Sequence, residues 1–225
     1  MNLYGDHGNV LVLQRRAEWR GFEVEIIEHE IGDKLPKDID IIFGGGGQDS
    51  GQLKISEDIK NNGAEIKNMI EGGVPALLVC GVYQLFGKTF ETSDGKKVDS
   101  IGVFDIETFG SSERIIGNVI VDSKKFGEIV GYENHQGRTR LSASVEPLGK
   151  IVKGGGNNGE DGSEGAIYKN AIGTYLHGPL LPKNPKLADF LILEALERKG
   201  FKGEFEKLDD GLEDRAREVA KNRPR

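Results

Sequence analysis

The sequence predicts an α/β fold: a doubly wound, mostly parallel sheet with flanking helices and added antiparallel strands. In the first half, strand-like segments alternate with helix-like ones, which is typical of parallel sheets. Residues 74–79 are apolar at nearly every position, as strands buried on both faces must be. From residue 88 to about 169, short strand-like stretches are separated by Gly, Asn and Asp, so this half should supply the antiparallel or mixed strands.

The predicted elements follow the chain in order. Helical spacing over residues 10–20 ends at Gly21, and the alternation of residues 22–27 then predicts a strand. The remaining predictions are a strand at 39–43 before four glycines, a helix at 64–71, strands at 74–79, 101–108, 115–121, 128–132, 145–152 and 171–176, a helix beginning at Pro185 and ending before Gly200, and a charged helix with a solvated face at about 211–222.

Composition limits the classes of function. A chain of 225 residues with 36% hydrophobic and 30% charged residues can bury a core, and no linker marks a boundary, so we expect a single domain over 1–225. The net charge of −7 offers no basic field, so we expect no nucleic-acid partner. No apolar run approaches the roughly 20 residues of a membrane span, and the first residues do not resemble a signal peptide. We therefore expect a cytoplasmic protein without membrane insertion.

The single cysteine, Cys80, is the central candidate for catalysis. It follows an apolar strand and precedes Gly81 and a helical start, the pattern of an elbow that presents a nucleophile at the carboxyl edge of a sheet. The positive end of the following helix favours the thiolate. The alternative is that Cys80 only continues the buried strand, because free cysteine is among the most buried residue types.

Two glycine-rich segments resemble nucleotide-binding motifs but do not match them fully. Residues 81–89, GVYQLFGKT, nearly spell a phosphate-binding loop, but five residues separate Gly81 from Gly87 where the motif has four, and Val82 stands where the motif needs glycine. Residues 154–159, GGGNNG, match a dinucleotide-binding string but are followed by Glu, Asp and Gly, so we interpret them as a surface loop.

A thiolate mechanism needs a base, and the chain has four histidines. His177 is the candidate, because it follows a buried strand whose carboxyl end should lie at the same sheet edge as Cys80; a structural role is its alternative. His29 lies among charged residues and is expected to be exposed, whereas His7 and His135 lie in polar, glycine-flanked loops suited to turns or to ligand binding. No His or Cys pair has metal-ligand spacing, so no metal site is expected.

Glycine and arginine residues supply the remaining candidates. The backbone N–H of Gly81 and a second N–H from the turn containing Gly46 and Gly47 could stabilise an oxyanion, although that turn could also serve only for flexibility. Arg114 and Arg138 could bind the carboxylate of an amino-acid substrate, because a guanidinium can grip a carboxylate through two hydrogen bonds.

Three motifs together resemble a known family: CGVYQLFG at 80–87, GYENHQG at 131–137 and GTYLHG at 173–178. In order and spacing they resemble the cobyric-acid-synthase-like branch of class I glutamine amidotransferases. Further segments look most like the glutaminase subunits of lipid II isoglutaminyl synthases: NLYGDHGN at 2–9, GGGQD at 45–49, Arg138 with Thr139, and HGPL at 177–180.

The resemblance implies a reaction. Cys80 would attack the side-chain amide of L-glutamine and form a thioester, with His177 as acid and base and with Arg114 in the position of the family's substrate-binding arginine. Gln84, Arg138 and His135 are further candidates for binding the substrate. Ammonia would pass to a Mur-ligase-like synthetase subunit that amidates the D-glutamate of lipid II to D-isoglutamine. ATP and Mg²⁺ are expected on that partner, and no cofactor is expected in this chain.

Two departures from the family pattern matter. Val82 replaces the second glycine of the elbow, and Pro179 stands where many class I enzymes place a glutamate two residues beyond the histidine. We therefore expect either a Cys80–His177 dyad or an orienting acid supplied by the partner, which would make the isolated subunit a poor glutaminase. The competing functions are amidation of a cobyrinate-type acceptor, a non-catalytic interaction module with the same fold, and hydrolysis of another amide.

Overall fold

The computed structural model describes residues 5–47 and 49–223. Ten strands and five α-helices lie within these residues. The strands are β1 (Ile42–Gly44), β2 (Ala76–Val79), β3 (Thr89–Glu91), β4 (Lys97–Val98), β5 (Ile106–Ser123), β6 (Gly127–Leu141), β7 (Gly149–Lys153), β8 (Ser163–Glu164), β9 (Ala166–Tyr168) and β10 (Ala171–Thr174). The helices are α1 (His7–Glu18), α2 (Asp49–Glu71), α3 (Gly81–Leu85), α4 (Pro185–Arg198) and α5 (Gly211–Asn222), with a 3-10 turn at Leu181–Lys183.

The first sheet has the order β1-β2-β10-β9 and contains the predicted parallel strands. Strands β1 and β10 both pair with β2 in parallel, with Ile42 and Ala171 on either side of Ala76. All residues of β2 and β10 are buried, which explains why their segments are almost wholly apolar. The carboxyl ends of β1, β2 and β10 therefore lie along one edge of the sheet.

The second sheet contains the added strands and is mostly antiparallel. Its centre is a long hairpin, the 18-residue β5 paired with the 15-residue β6, and a register shift between Gly110 and Ile115 interrupts the pairing. The mixed α/β class predicted from the sequence is confirmed, since both the parallel strands with their helices and the antiparallel additions are present.

One predicted strand is wrong. Residues 22–27 have no strand partner, and Val24, Ile26 and Ile27 are 36%, 41% and 54% exposed. Alternating apolar residues stabilise a strand only when a neighbouring strand accepts its hydrogen bonds and one face is covered, and neither condition holds here. The predicted helix at 64–71 is the last part of the longer α2.

Helix α1 is fastened to α4 and to the region of α5 by a buried arginine. Arg16 is 2% exposed and donates to both carboxylate oxygens of Asp189 at 2.7 and 2.8 Å and to Asp210 at 2.7 Å. These bonds give the guanidinium the partners that a buried charge requires. Helix α5 has no buried residue, in agreement with the solvated helix predicted there.

The glycine-rich segment 154–159 is a loop as predicted, but it is not wholly on the surface, because residues 156–158 are buried. The N–H groups of Gly155 and Gly156 donate to the two carboxylate oxygens of Glu133 at 2.8 and 2.9 Å. Asn157 is fully buried and bonds to Ser163 and Gly165. The adjacent N–H groups that would bind a phosphate in a nucleotide site thus bind the protein's own carboxylate here.

Candidate active site

The edge formed by the ends of the three parallel strands carries the predicted catalytic residues. The glycine turn follows β1, Cys80 follows β2, and His177 lies three residues beyond β10. The N–H of Cys80 donates to the carbonyl of Thr174 at 2.8 Å, which joins the end of β2 to the end of β10. His177 is fixed in turn by two backbone hydrogen bonds with Tyr132 of β6.

Cys80 has the strained backbone of a nucleophile elbow. Its φ of 51° and ψ of −104° lie in a region that non-glycine residues rarely adopt. The sharp turn places the side chain at the start of α3, where it is 7% exposed and lines a cavity. The elbow predicted from the sequence is therefore present, and Cys80 does not continue the strand.

A cavity of about 260 Å³ opens beside Cys80. Its walls include Cys80, Gly47, Gln52, Gln84, His135 and Arg114, so α2, α3, β5 and β6 all contribute side chains to one space. A volume of this size suits a small molecule of amino-acid dimensions. Among the described residues, no group of three His, Cys, Asp or Glu is arranged to hold a metal ion.

His177 and the glycine turn meet at a buried aspartate that sequence reasoning did not single out. Asp6 and His177 are both fully buried, and Asp6 Oδ1 lies 3.5 Å from His177 Nδ1. Asp6 Oδ2 accepts the N–H of Gly46 at 2.6 Å. A β-carbon built on Gly46 would lie only 2.6 Å from Cε1 of His177, so the ring packs directly against this glycine.

The predicted oxyanion role of Gly46 needs correction, because its N–H is already donated to Asp6. Gly47 is the member of the turn that lines the cavity with Cys80 and remains a candidate donor. Gly81 is also required as glycine, since a β-carbon there would collide with the amide of Gln52. Val82, which stands where the family has its second glycine, packs against Gly44 and does not line the cavity.

Gln84 is held in the cavity wall by a chain of buried hydrogen bonds. Its Nε2 donates to the Tyr175 hydroxyl at 3.0 Å, and its Oε1 accepts from Gln52 Nε2 at 3.1 Å. The Tyr175 hydroxyl continues to Thr139 Oγ1 at 2.6 Å. These hydrogen bonds use both polar atoms of the Gln84 side chain and so fix its orientation.

His135 presents a neutral acceptor to the cavity. Its ring stacks on Tyr175 at 3.7 Å, and its Nδ1 lies 2.9 Å from the carbonyl of Gly137, which can only accept, so Nδ1 carries the proton. Burial lowers the pKa of His135 to about 3, so the ring is neutral near pH 7. Its Nε2 is buried without a hydrogen-bond partner among the described side chains and backbone.

The two predicted arginines have different roles. Arg114 lies in the irregular part of the β5–β6 hairpin, where it donates to Asn134 at 2.8 Å and lines the cavity. Arg138 lies outside the cavity lining and donates to the backbone carbonyls of Gln136, Gly137 and Glu113. The structure therefore places one cation, Arg114, in the cavity wall and uses Arg138 to brace the hairpin.

The other two histidines do not line the cavity. His29 is partly exposed and pairs with Asp58 at 3.0 Å, as its charged surroundings predict. His7 is the exposed first residue of α1. Asp6 and Gln52 were missed because their contacts with Gly46 and Gln84 join residues 40 and 32 positions apart in the chain.

Residues 1–185 match the family of CobB/CobQ-like glutamine amidotransferase domains. The chain belongs to this family. It is a glutamine amidotransferase, and the resemblance noted in three sequence motifs is confirmed over most of the chain.

Curated relatives refine this membership. The chain is 40% identical to the lipid II isoglutaminyl synthase (glutamine-hydrolyzing) subunit GatD of Staphylococcus aureus, over 97% of this chain and 90% of the relative. It is also 40% identical to the subunit of that name from Streptococcus pneumoniae, over 88% of this chain and 78% of the relative. A probable cobyric acid synthase of Methanothermobacter thermautotrophicus is 33% identical over 62% of this chain but only 30% of its own length.

Solved structures support the fold. A glutamine amidotransferase crystal structure superposes with a TM-score of 0.59 at 13% identity, covering 82% of this chain and 93% of that one. A glutamine amidotransferase from Thermotoga maritima gives a TM-score of 0.55 at 15% identity, with 93% and 86% covered. Within the described residues, no helix of this glutamine amidotransferase combines the length and apolar character that crossing a bilayer requires.

Proposed function

We propose that this chain is the glutaminase subunit of a lipid II isoglutaminyl synthase. The observation that carries the proposal is the 40% identity to the Staphylococcus aureus subunit over 97% of this chain and 90% of the relative. The cobyric acid synthase relatives extend far beyond the match, since only 30% of the first of them is covered. This chain would supply ammonia, and a Mur-ligase-like partner would use ATP and Mg²⁺ to activate the D-glutamate α-carboxyl of lipid II.

In the proposed reaction, His177 takes the proton of the Cys80 thiol, and the thiolate attacks the amide carbon of L-glutamine. The resulting oxyanion accepts hydrogen bonds from the N–H groups of Gly81 and Gly47. The carbon–nitrogen bond then breaks as His177 returns the proton to the leaving nitrogen, which gives ammonia and a γ-glutamyl thioester. Water attacks the thioester with His177 as base, and glutamate leaves as the thiol is restored.

The cavity wall supports this choice of substrate. Arg114 supplies the cation that the α-carboxylate of glutamine needs. The neutral Nε2 of His135 can accept an N–H of the substrate, and the side-chain amide of Gln84 lies in the same wall. Arg138 would act indirectly by holding the hairpin that carries Arg114.

The test uses the complex copurified from the native cell. It is given L-glutamine labelled with ¹⁵N in the side-chain amide, together with lipid II, ATP and Mg²⁺, and the lipid II product is analysed by mass spectrometry. We expect labelled D-isoglutamine from the wild type. The matched control is a complex carrying Cys80→Ser, which should transfer no label from glutamine but should still amidate lipid II when free ammonium is supplied.

Three outcomes would contradict the proposal. Release of labelled ammonia with transfer to a cobyrinate and none to lipid II would assign the other acceptor. Failure of a glutamine-like electrophile to alkylate Cys80, together with no release of glutamate in the complex, would indicate a non-catalytic module. Cleavage of a peptide amide in preference to glutamine would indicate a different hydrolase.

A further inference from the structure

Gln52 lies between the two glycines that are proposed to bind the oxyanion. It belongs to the first turn of α2, is 3% exposed and lines the cavity with Cys80. Its Nε2 donates to the carbonyl of Gly47 at 3.3 Å, and a β-carbon on Gly81 would lie 2.4 Å from the same nitrogen. The side-chain amide of Gln52 therefore packs against the backbone of both turns that flank the nucleophile.

The orientation of this amide follows from one backbone carbonyl. The carbonyl of Gly47 can only accept, so the atom of Gln52 that faces it must be the nitrogen. The same nitrogen lies 3.1 Å from Gln84 Oε1, and Gln84 in turn presents its own nitrogen to the Tyr175 hydroxyl at 3.0 Å. Both hydrogens of the Gln52 amide are thus donated within the protein, and no flip of either glutamine preserves these bonds.

The oxygen of the same amide is left without a donor. Gln52 Oε1 is buried and has no hydrogen-bond partner among the residues that the structure describes. A buried acceptor without a donor destabilises the protein unless water or a ligand supplies one. Because Gln52 lines the cavity with Cys80, a molecule bound there can supply this donor.

We propose that Gln52 is a specificity-determining residue whose Oε1 accepts an N–H of the side-chain carboxamide of the substrate. This inference rests on the proposed glutaminase function. L-Glutamine carries that NH₂ group on the carbon that Cys80 attacks, whereas an ester of the same acyl group has no hydrogen to donate there. A buried acceptor left unpaired disfavours a substrate that lacks the donor, so this contact selects the amide. The carboxylate of the product glutamate would place an oxygen against Oε1, so the same contact disfavours rebinding of the product.

The test compares L-glutamine with its γ-methyl ester as substrates of the native complex. Gln52→Met keeps the length of the side chain but removes both polar atoms. Loss of the Nε2 hydrogen bonds to Gly47 and Gln84 should lower kcat/KM for both substrates by a similar factor, whereas loss of Oε1 affects only the substrate with an N–H. We therefore expect the ratio of kcat/KM for glutamine to kcat/KM for the ester to fall about 10-fold in Gln52→Met. The intrinsic reactivities of amide and ester cancel, because the ratio is compared between proteins.

Gln14 provides the matched control. It lies in α1, is partly buried and does not line the cavity, so Gln14→Met makes the same chemical change elsewhere in the chain. The ratio for Gln14→Met should equal that of the wild type. An unchanged ratio in Gln52→Met, with both rates lowered equally, would leave Gln52 a purely structural role and overturn the proposal.

A second measurement covers the case in which Gln52→Met does not fold. In a crystal structure of the complex carrying Cys80→Ser with bound L-glutamine, the side-chain nitrogen of the substrate should lie within about 3.2 Å of Gln52 Oε1. A substrate nitrogen bonded elsewhere, with Oε1 facing protein or water, would overturn the proposal.

The two proposals fail in different ways. If the wild-type complex hydrolyses no glutamine, the proposed function fails, and the contacts of bound glutamine still decide the role of Gln52; a cavity that binds no glutamine would overturn both. If the wild type hydrolyses glutamine and the ratio in Gln52→Met is unchanged, only the role of Gln52 fails.

Discussion

Among the residues that the structure describes, two sites combine an aspartate, a histidine and a glycine N–H. At the sheet edge, Asp6 and His177 have fully buried side chains, and Asp6 accepts the Gly46 N–H. At the surface, the side chains of His29 and Asp58 are 29% and 12% exposed, and Asp58 accepts the Gly32 N–H. The groups are alike, so the difference lies in burial and in the neighbours, and only the buried set lies at the sheet edge that carries Cys80. The same contacts can brace a surface loop or, at this edge, hold the proposed catalytic base.

Exchanging the two histidines for alanine should give the largest contrast. We expect His177→Ala to lower kcat for glutamine hydrolysis by about 10³-fold or more, because it removes the proposed acid and base. His29→Ala should leave kcat within about twofold of the wild type, since a surface pair contributes little. Steady-state release of glutamate by the native complex measures both, and equal rates for the two variants would place the base elsewhere.

The second-largest contrast is expected between alanine substitutions at Gly46 and at Gly32. A β-carbon on Gly46 would lie 2.6 Å from Cε1 of His177, so Gly46→Ala should displace the ring and lower kcat by about 10²-fold. Gly32 has φ +90° with nothing within 4 Å, so Gly32→Ala should cost about 1 kcal/mol of stability through backbone strain and leave kcat unchanged. Kinetics and urea unfolding separate the two effects, and a fully active Gly46→Ala enzyme would contradict the tight packing of His177.

His135 tests how burial changes the pKa of an imidazole and thereby the pH dependence of the protein's stability. Burial lowers its folded pKa to about 3, so below about pH 6.5 the unfolded chain binds a proton that the folded protein does not. The contribution of neutral His135 to the unfolding free energy is complete above about pH 6.5 and is lost as the pH falls toward 3. Relative to His135→Gln, the wild type should lose up to about 1.4 kcal/mol of unfolding free energy per pH unit in this range. If the unfolding free energies of the wild type and His135→Gln change in parallel with pH, His135 is not held neutral in the folded protein.

Asp58 should give the smallest effect. Partial burial raises its pKa, but the hydrogen bonds from the Gly32 N–H and from His29 outweigh this and lower the pKa below its ordinary value. A carboxylate with a lowered folded pKa stabilises the protein above about pH 4, and that contribution is lost as the pH falls through the folded pKa. Asp58→Asn should therefore lower the unfolding free energy near pH 7 by less than about 1 kcal/mol, with the difference closing in acid. A larger cost that persists at low pH would point to packing instead of charge.

The sequence by itself determined the parallel strands, the elbow and the family. Strands β2 and β10 are buried on both faces, so their residues are almost all apolar, and Gly81 follows Cys80 directly in the sequence; both features are local and can be recognised from the sequence. The strand expected at residues 22–27 failed because alternation does not report whether a partner strand exists.

Only the tertiary structure decided which polar groups meet. Asp6 and His177 are 171 residues apart, and their contact depends on Pro179 packing against α1 and on the order of the strands in the sheet. Arg114 and Arg138 look equivalent in the sequence, yet the irregular pairing of the β5–β6 hairpin puts one in the cavity wall and leaves the other to hold backbone carbonyls. Local patterns specify the elements, whereas long-range packing selects the partners of each buried polar group.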